Sequence, residues 1–187
     1  MEEEINEYFD MARESMDGTI THLERELSKV NTGKANPRMV SGLFVSYYGA
    51  DTPLNQVANV SIADARTITI QPWEKSMIGP IERAIFEANL GVTPQNDGEM
   101  VRITIPPLTE DRLKDLVKVA KNMGEDAKIS LRSARKDLMD GIKDAVKDGY
   151  PEDAGKRKES DANALIKTYE AKVEDHVKNK EKDILTI

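Results

Sequence analysis

From Pro107 to Tyr150 the chain reads PLTEDRLKDLVKVAKNMGEDAKISLRSARKDLMDGIKDAVKDGY, and this stretch decides the architecture. After the double proline Pro106-Pro107, apolar side chains recur at alternating steps of three and four for some forty residues, the period of a helix seen from one side. Thr109 stands where an N-cap belongs, with Glu110 and Asp111 in the first turn, where the helix dipole favours acids. Asp148-Gly149-Tyr150-Pro151 ends the run. At a rise of 1.5 Å per residue the helix is about 60 Å long. A rod that is apolar along one stripe only needs partners to cover that stripe.

Two other segments can supply the cover. Ile5, Phe9, Ala12, Met16, Thr19/Ile20, Leu23, Leu27 and Val30 form a narrow heptad-like seam in the first thirty residues. The remaining faces there carry nine acids against Arg13, Arg25 and Lys29. A last helix is expected from about Glu152 to Ile184, with Ala162, Leu165/Ile166, Tyr169, Val173, Val177 and Ile184 on its buried side. Three long one-striped helices bury those stripes best against one another, in an antiparallel bundle.

Between the first helix and the double proline the period changes to two. Leu43, Val45 and Tyr47 alternate with Phe44, Ser46 and Tyr48, then Gly49-Ala50-Asp51 reads as a turn. Val57 to Ile62 and Arg66 to Gln71 read as strands, Ile81 to Leu90 as a helix, and Val101 to Ile105 as a final strand after the hairpin signal Asn96-Asp97-Gly98. The chain is thus expected to be α+β: a three-helix bundle from residues 1–30 and 107–187, with a β-rich domain of 31–106 inserted into it. Two linkers join the parts, one at Asn31, Thr32, Gly33, Lys34 and Pro37, the other at Ile105, Pro106, Pro107 and Leu108. Paired tethers permit a hinge-like swing and forbid free tumbling.

Composition narrows the function. The 187 residues carry 27 Lys and Arg against 34 Asp and Glu, a net charge of −7, with 39% hydrophobic and 5% aromatic residues. There is no cysteine, which removes thiolate metal sites, disulfides and cysteine nucleophiles. His22 and His176 are too few for a histidine-based metal centre. No phosphate-cradling glycine pattern occurs, and neither a metal nor a cofactor is expected. The acidic N-terminus and the lack of a long apolar run point to a soluble cytoplasmic protein with no membrane partner. Trp73 reads as an anchor of the inserted domain's core, with a partner contact as the alternative, and the two histidines as structural.

On a wheel of about 100° per residue, the long helix sorts its charges. Lys114, Lys118, Lys121, Lys128, Arg132, Arg135, Lys136, Lys143 and Lys147 fall on one face, while Asp115, Asp126, Asp137, Asp140 and Asp144 fall beside it. Glu125 interrupts the basic row. Sorting of this kind forgoes many stabilising Glu–Lys pairs, and a polyanion relieves the resulting repulsion. Arg132-x-x-Arg135-Lys136 suits phosphate contacts. Basic residues without interleaved aromatics fit structured RNA read by shape, with Lys114, Lys118, Lys121, Lys128, Arg132, Arg135 and Lys136 as the candidate contacts. An ordinary solvated face is the alternative for these lysines. For the whole molecule the rival is a helical adaptor whose seams bind partner helices.

The runs Asn31-Thr-Gly-Lys-Ala-Asn-Pro37, Tyr47-Tyr-Gly49 with Thr52-Pro-Leu54, Gln56-Val-Ala-Asn-Val-Ser61, Ala65-Arg-Thr67, QPWEKSMIGPIERAI from Gln71 to Ile85, Asn96-Asp-Gly98, Ile105-Pro-Pro-Leu-Thr-Glu110 and Lys180-Glu-Lys182 strongly resemble the ribosome recycling factor family, across essentially the whole chain and in the same order. The resemblance implies an L-shaped two-domain molecule with a β/α/β domain inserted in the bundle and no catalytic residues; the chain is expected to act as a monomer. It also implies that the bundle binds large-subunit ribosomal RNA after termination and that elongation factor G, hydrolysing GTP, pushes on the inserted domain to split the subunits. The family's arginine-rich stretch falls on Arg132, Arg135 and Lys136, with Lys136 in place of a usual arginine. Asn31 likewise stands where an arginine commonly opens the first linker motif.

Overall fold

The computed structural model describes residues 1–30 and 32–186. In chain order its main elements are α1 (Glu2–Ser28), α2 (Arg38–Ser41), β1 (Phe44–Tyr47), β2 (Ala50–Pro53), β3 (Ala58–Asp64), β4 (Thr67–Pro72), α3 (Ile78–Glu87), β5 (Pro94–Asn96), β6 (Val101–Thr104), α4 (Glu110–Lys147) and α5 (Glu152–Leu185). They fall into two units, Met1–Thr32 with Glu110–Ile187, and Gly33–Thr109. The architecture is α+β.

The first unit is helical. The seam residues Ile5, Phe9, Ala12, Met16, Ile20, Leu23 and Leu27 of α1 are buried, as are Leu116, Ala120, Ala127, Leu131, Ala134, Leu138, Ile142 and Ala145 of α4. Ala162, Ile166, Tyr169, Val173 and Ile184 complete the core from α5. The few polar links tie helices at their margins. The Tyr169 hydroxyl donates to Asp17 Oδ1 at 2.6 Å, and burial together with that carboxylate pushes its pKa up to about 12. Glu2 accepts from the Tyr150 hydroxyl at 2.6 Å and pairs with Lys158 at 3.1 Å, fastening the start of α1 to α5.

Gly124 sets how closely α4 and α5 approach. A Cβ there would stand 2.6 Å from Val177 Cγ2, well inside van der Waals contact. Alanine gains about 1 kcal/mol of helix propensity over glycine, but overpacking costs about 1–3 kcal/mol. The second term wins: Gly124→Ala is expected to lower stability by roughly 1 kcal/mol in urea unfolding, the remainder after these opposing terms. Adding Val177→Ala should remove most of that penalty, and strict additivity of the two changes would show that the glycine has another purpose.

The second unit holds a two-stranded sheet, β1-β2, and a four-stranded antiparallel sheet in the order β3-β4-β6-β5. Its core joins Val45, Ile68, Ile70, Val101 and Ile103 from the strands to Ile81 and Ile85 of α3, with Val40, Leu54, Val57 and Met77 from the connections. Several expectations are corrected here. The turn at 49–51 is a two-residue hairpin at Tyr48-Gly49, both with positive φ (49° and 82°), so Ala50 already pairs with Tyr47 and opens a strand. Twin positive φ values are those of a type I′ turn, whose twist suits a hairpin. Strand β5 carries no signal in the sequence because Pro94, Gln95 and Asn96 have poor strand propensity; it pairs along β6 from Pro94↔Ile103 to Asn96↔Val101. The helix expected at 81–90 runs instead from Ile78 to Glu87. Trp73 is not a core anchor: it is 67% exposed, because Ile68, Ile70 and Pro72 take the inward positions of β4 and the next residue falls outside.

Candidate nucleic-acid interface

The buried stripe of α4 fixes the direction of everything else on that helix. With Leu131, Leu138 and Ile142 wholly or almost wholly enclosed, Arg132, Lys136 and Lys143 are turned to solvent. Lys114, Lys118, Lys121 and Lys147 are exposed as well. Among the described residues, no ion pair engages Lys114, Lys118, Lys121, Arg132, Lys143 or Lys147. Their charge is available to an external anion.

Three candidates are held differently. Lys128 is drawn back: its ammonium lies 3.4 Å from Glu174 on α5 and 3.9 Å from Glu125, with only 22% of the side chain exposed. It neutralises a carboxylate that would otherwise stand in the basic face, so its role differs from the expected free cation. Lys136 is 3.9 Å from Asp140 one turn on, with both side chains mostly exposed, a pairing worth no more than a few tenths of a kcal/mol and readily exchanged. Arg135 is half-buried; its Nη1 donates to Asn163 Oδ1 of α5 at 3.3 Å, and its Nε is enclosed without a hydrogen-bond partner among the described residues. The guanidinium is therefore laid along the α4–α5 seam and held there by one hydrogen bond. Periodicity of α4 alone could not reveal Asn163 or Glu174, because both belong to a helix whose register is set by the fold.

His22 is exposed, while His176 is half-buried with Nε2 3.1 Å from Glu24 Oε1. Among the described residues no set of His, Asp and Glu could hold a metal ion, and no helix is long and apolar enough to cross a membrane. In the second unit Glu74 accepts one hydroxyl from Tyr47 at 2.9 Å and another from Tyr48 at 2.8 Å. The shared carboxylate raises the pKa of both phenols and holds the hairpin tip in place.

Of the linker residues, Asn31 lies outside the described residues. Gly33 is buried with φ of +72°, and a Cβ on it would meet Leu108 Cγ at 3.0 Å. The two tethers therefore touch where they enter the second unit. Ile105 is buried and its N–H donates to Arg66 O at 2.7 Å, so its end of the second tether is anchored in the sheet domain. Thr32 and Lys34 are half-buried, Pro37, Pro106 and Pro107 exposed.

A helical unit interrupted by a small β-containing unit, with exposed cations along α4, makes this a two-unit protein of the α+β class. The sequence model of the ribosome recycling factor family matches residues 23–185. Ribosome-recycling factor of Cytophaga hutchinsonii is 49% identical over 185 residues, covering 99% of this chain and all of the relative. That of Flavobacterium johnsoniae is 46% identical over 187 residues, covering both chains completely. Among solved structures, a solution structure of the ribosome recycling factor superposes with a TM-score of 0.75 at 29% identity, covering 98% of each chain. A second match, at TM-score 0.61 and 36% identity over 97% of this chain and 98% of the other, is the T. thermophilus ribosome recycling factor, described with E. coli elongation factor G as bound to the E. coli post-termination complex. The chain belongs to the ribosome recycling factor family.

Proposed function

We propose that this protein takes apart the post-termination ribosome in two acts, with one copy acting at a time in the cytoplasm. The cationic face of α4, chiefly Lys114, Lys118, Lys121, Arg132, Arg135 and Lys136, holds the phosphate backbone of large-subunit RNA. Elongation factor G then drives the inserted unit, which swings on the linkers 31–37 and 105–108, and the subunits part. The chain itself makes and breaks no covalent bond; GTP hydrolysis by the partner supplies the energy.

The observation that carries the first act is the exposure of Lys114, Lys118, Lys121 and Arg132 with no ion pair among the described residues, in a molecule whose net charge is −7. Lone cations are cheap in water, but a row of them on one edge concentrates positive potential where a polyphosphate can meet it. Support for the second act comes from the T. thermophilus relative, which is bound, like elongation factor G, to the post-termination complex.

Co-sedimentation with purified large subunits tests the reading. Binding through about six phosphates should fall by about a thousandfold between roughly 50 and 200 mM salt. Affinity that is flat across that range would overturn the RNA grip and favour the rival, a helical adaptor.

A further inference from the structure

We infer that the RNA-binding surface is a seam between two helices, in which Lys178, Lys167 and Lys156 of α5 stand level with Lys121, Arg132 and Lys143 of α4 as three cationic rungs. The inference rests on the proposed RNA grip and extends it to residues on a second helix.

Four observations fix the antiparallel register of α4 and α5. Lys128 reaches Glu174 at 3.4 Å, and Arg135 reaches Asn163 at 3.3 Å. A Cβ on Gly124 would touch Val177, and one on Gly155 would touch Val146. Each crossing joins residues whose positions change in step along the two helices. The same step places Lys178 opposite Lys121, Lys167 opposite Arg132 and Lys156 opposite Lys143, to within about two residues, or about 3 Å of rise. Lys121 and Lys178 do line one groove, together with Gly124 and Val177.

Within each helix the three cations are eleven residues apart, which is three full turns and about 16 Å. Both sets therefore keep one face. On α5 that face lies on the α4 side of the helix, since Asn163 and Glu174, which contact α4, fall within about 60° of all three lysines on the wheel. All six rung residues are exposed, and among the described residues none is in an ion pair. Each α5 lysine has a glutamate three residues on, Glu159, Glu170 and Glu181, and among the described residues none of these pairs closes into an ion pair. Glu174 is held by Lys128, whose weaker contact is Glu125. Glu181 and Glu125 line the groove at the first rung, and Glu159 and Glu170 are half-buried.

Like charges set level across a seam repel, and among the described residues no ion pair engages any of the six. A small anion would answer one rung. Two stiff helices holding three rungs at fixed intervals of about 16 Å match a ligand that carries many phosphates in a fixed shape, which is the backbone of a folded RNA read by shape. Arg135, pinned by Asn163 between the second and third rungs, adds a planar guanidinium to the same strip.

The test replaces only the α5 half: Lys156→Gln, Lys167→Gln and Lys178→Gln in one chain, with co-sedimentation on purified large ribosomal subunits over a series of salt concentrations. Affinity is expected to fall about tenfold, and the slope of log affinity against log salt to flatten by about one per lost phosphate contact. A charge-matched chain with Arg38→Gln, Lys75→Gln and Arg83→Gln should keep the wild-type slope. Circular dichroism should give the same helix content for all three proteins. The inference is overturned by an unchanged slope in the α5 triple variant, by an equal flattening in the control, or by weakened binding without flattening, which would mean a protein contact. If an α4 pair, Arg132→Gln with Lys143→Gln, flattens the slope while the α5 variant does not, the seam fails and the α4 grip stands. If neither does, both fail.

Discussion

Replacing Arg132 and Arg135 by alanine is expected to weaken binding to the large ribosomal subunit by roughly a hundredfold, since a hydrogen bond to a charged group is worth about 1.5–3 kcal/mol and about 1.4 kcal/mol is tenfold. The two arginines should fail for different reasons. Arg132 is exposed, without an ion pair among the described residues, so Arg132→Ala alone should leave the melting temperature where it is and lower affinity alone. Arg135 is laid into the α4–α5 seam and bonded to Asn163, so its removal also leaves an amide without its partner and a gap beside the helix. Arg135→Ala should therefore cost about 1 kcal/mol of stability as well as affinity. Arg135→Lys separates the contributions: charge returns, the planar fork does not. Binding in the double variant equal to wild type, measured by co-sedimentation at fixed salt, would reduce the basic face to a solubility device.

The contrast between those arginines shows what a linear sequence can carry. Where one helix alone decides the outcome, its residues suffice: the stripe from Leu116 to Ala145 is buried as periodicity requires, and that stripe aims Arg132 outward. Where a second element decides, they do not suffice. Lys128 belongs to the same wheel sector as Arg132, yet Glu174 on α5 draws it inward. Glu174 lies 46 positions along the chain, and no local pattern announces the pairing. The α5 rungs are invisible in the sequence for the same reason, since Lys156, Lys167 and Lys178 become a feature only once the register with α4 is known. Strand β5 illustrates a third limit: three residues of low strand propensity are recruited by the free edge of β6, where tertiary pairing overrides local preference. Trp73 differs from these. Its outward position follows from the alternation that buries Ile68, Ile70 and Pro72, and treating a large aromatic as core by default overrides a signal already in the strand.

Tying the two linkers together is expected to abolish subunit splitting while leaving large-subunit binding within about twofold. The touch between Gly33 and Leu108 supplies the means. A Cβ built on Gly33 stands 3.9 Å from Leu108 Cβ, inside the Cβ–Cβ range of about 3.5–4.5 Å for a disulfide. The chain has no cysteine of its own, so Gly33→Cys with Leu108→Cys would create a single possible bridge. A side chain at φ of +72° costs about 1–2 kcal/mol, a strain that a disulfide closing the long intervening loop offsets with a typical contribution of about 2–4 kcal/mol. Oxidation fixes the tethers to each other at the point where both enter the second unit. A hinge with two strands bends by letting them slip past one another, so the bridge removes that freedom without touching the cations of α4. In the oxidised protein, splitting of post-termination complexes by elongation factor G and GTP should drop at least tenfold, and a reductant should restore it, because the same molecules regain the slip. The reduced form controls for the substitutions themselves. Full splitting by the oxidised form would show that the swing pivots elsewhere, and loss of subunit binding on oxidation would show that the linkers shape the RNA-binding bundle rather than move the domain beside it.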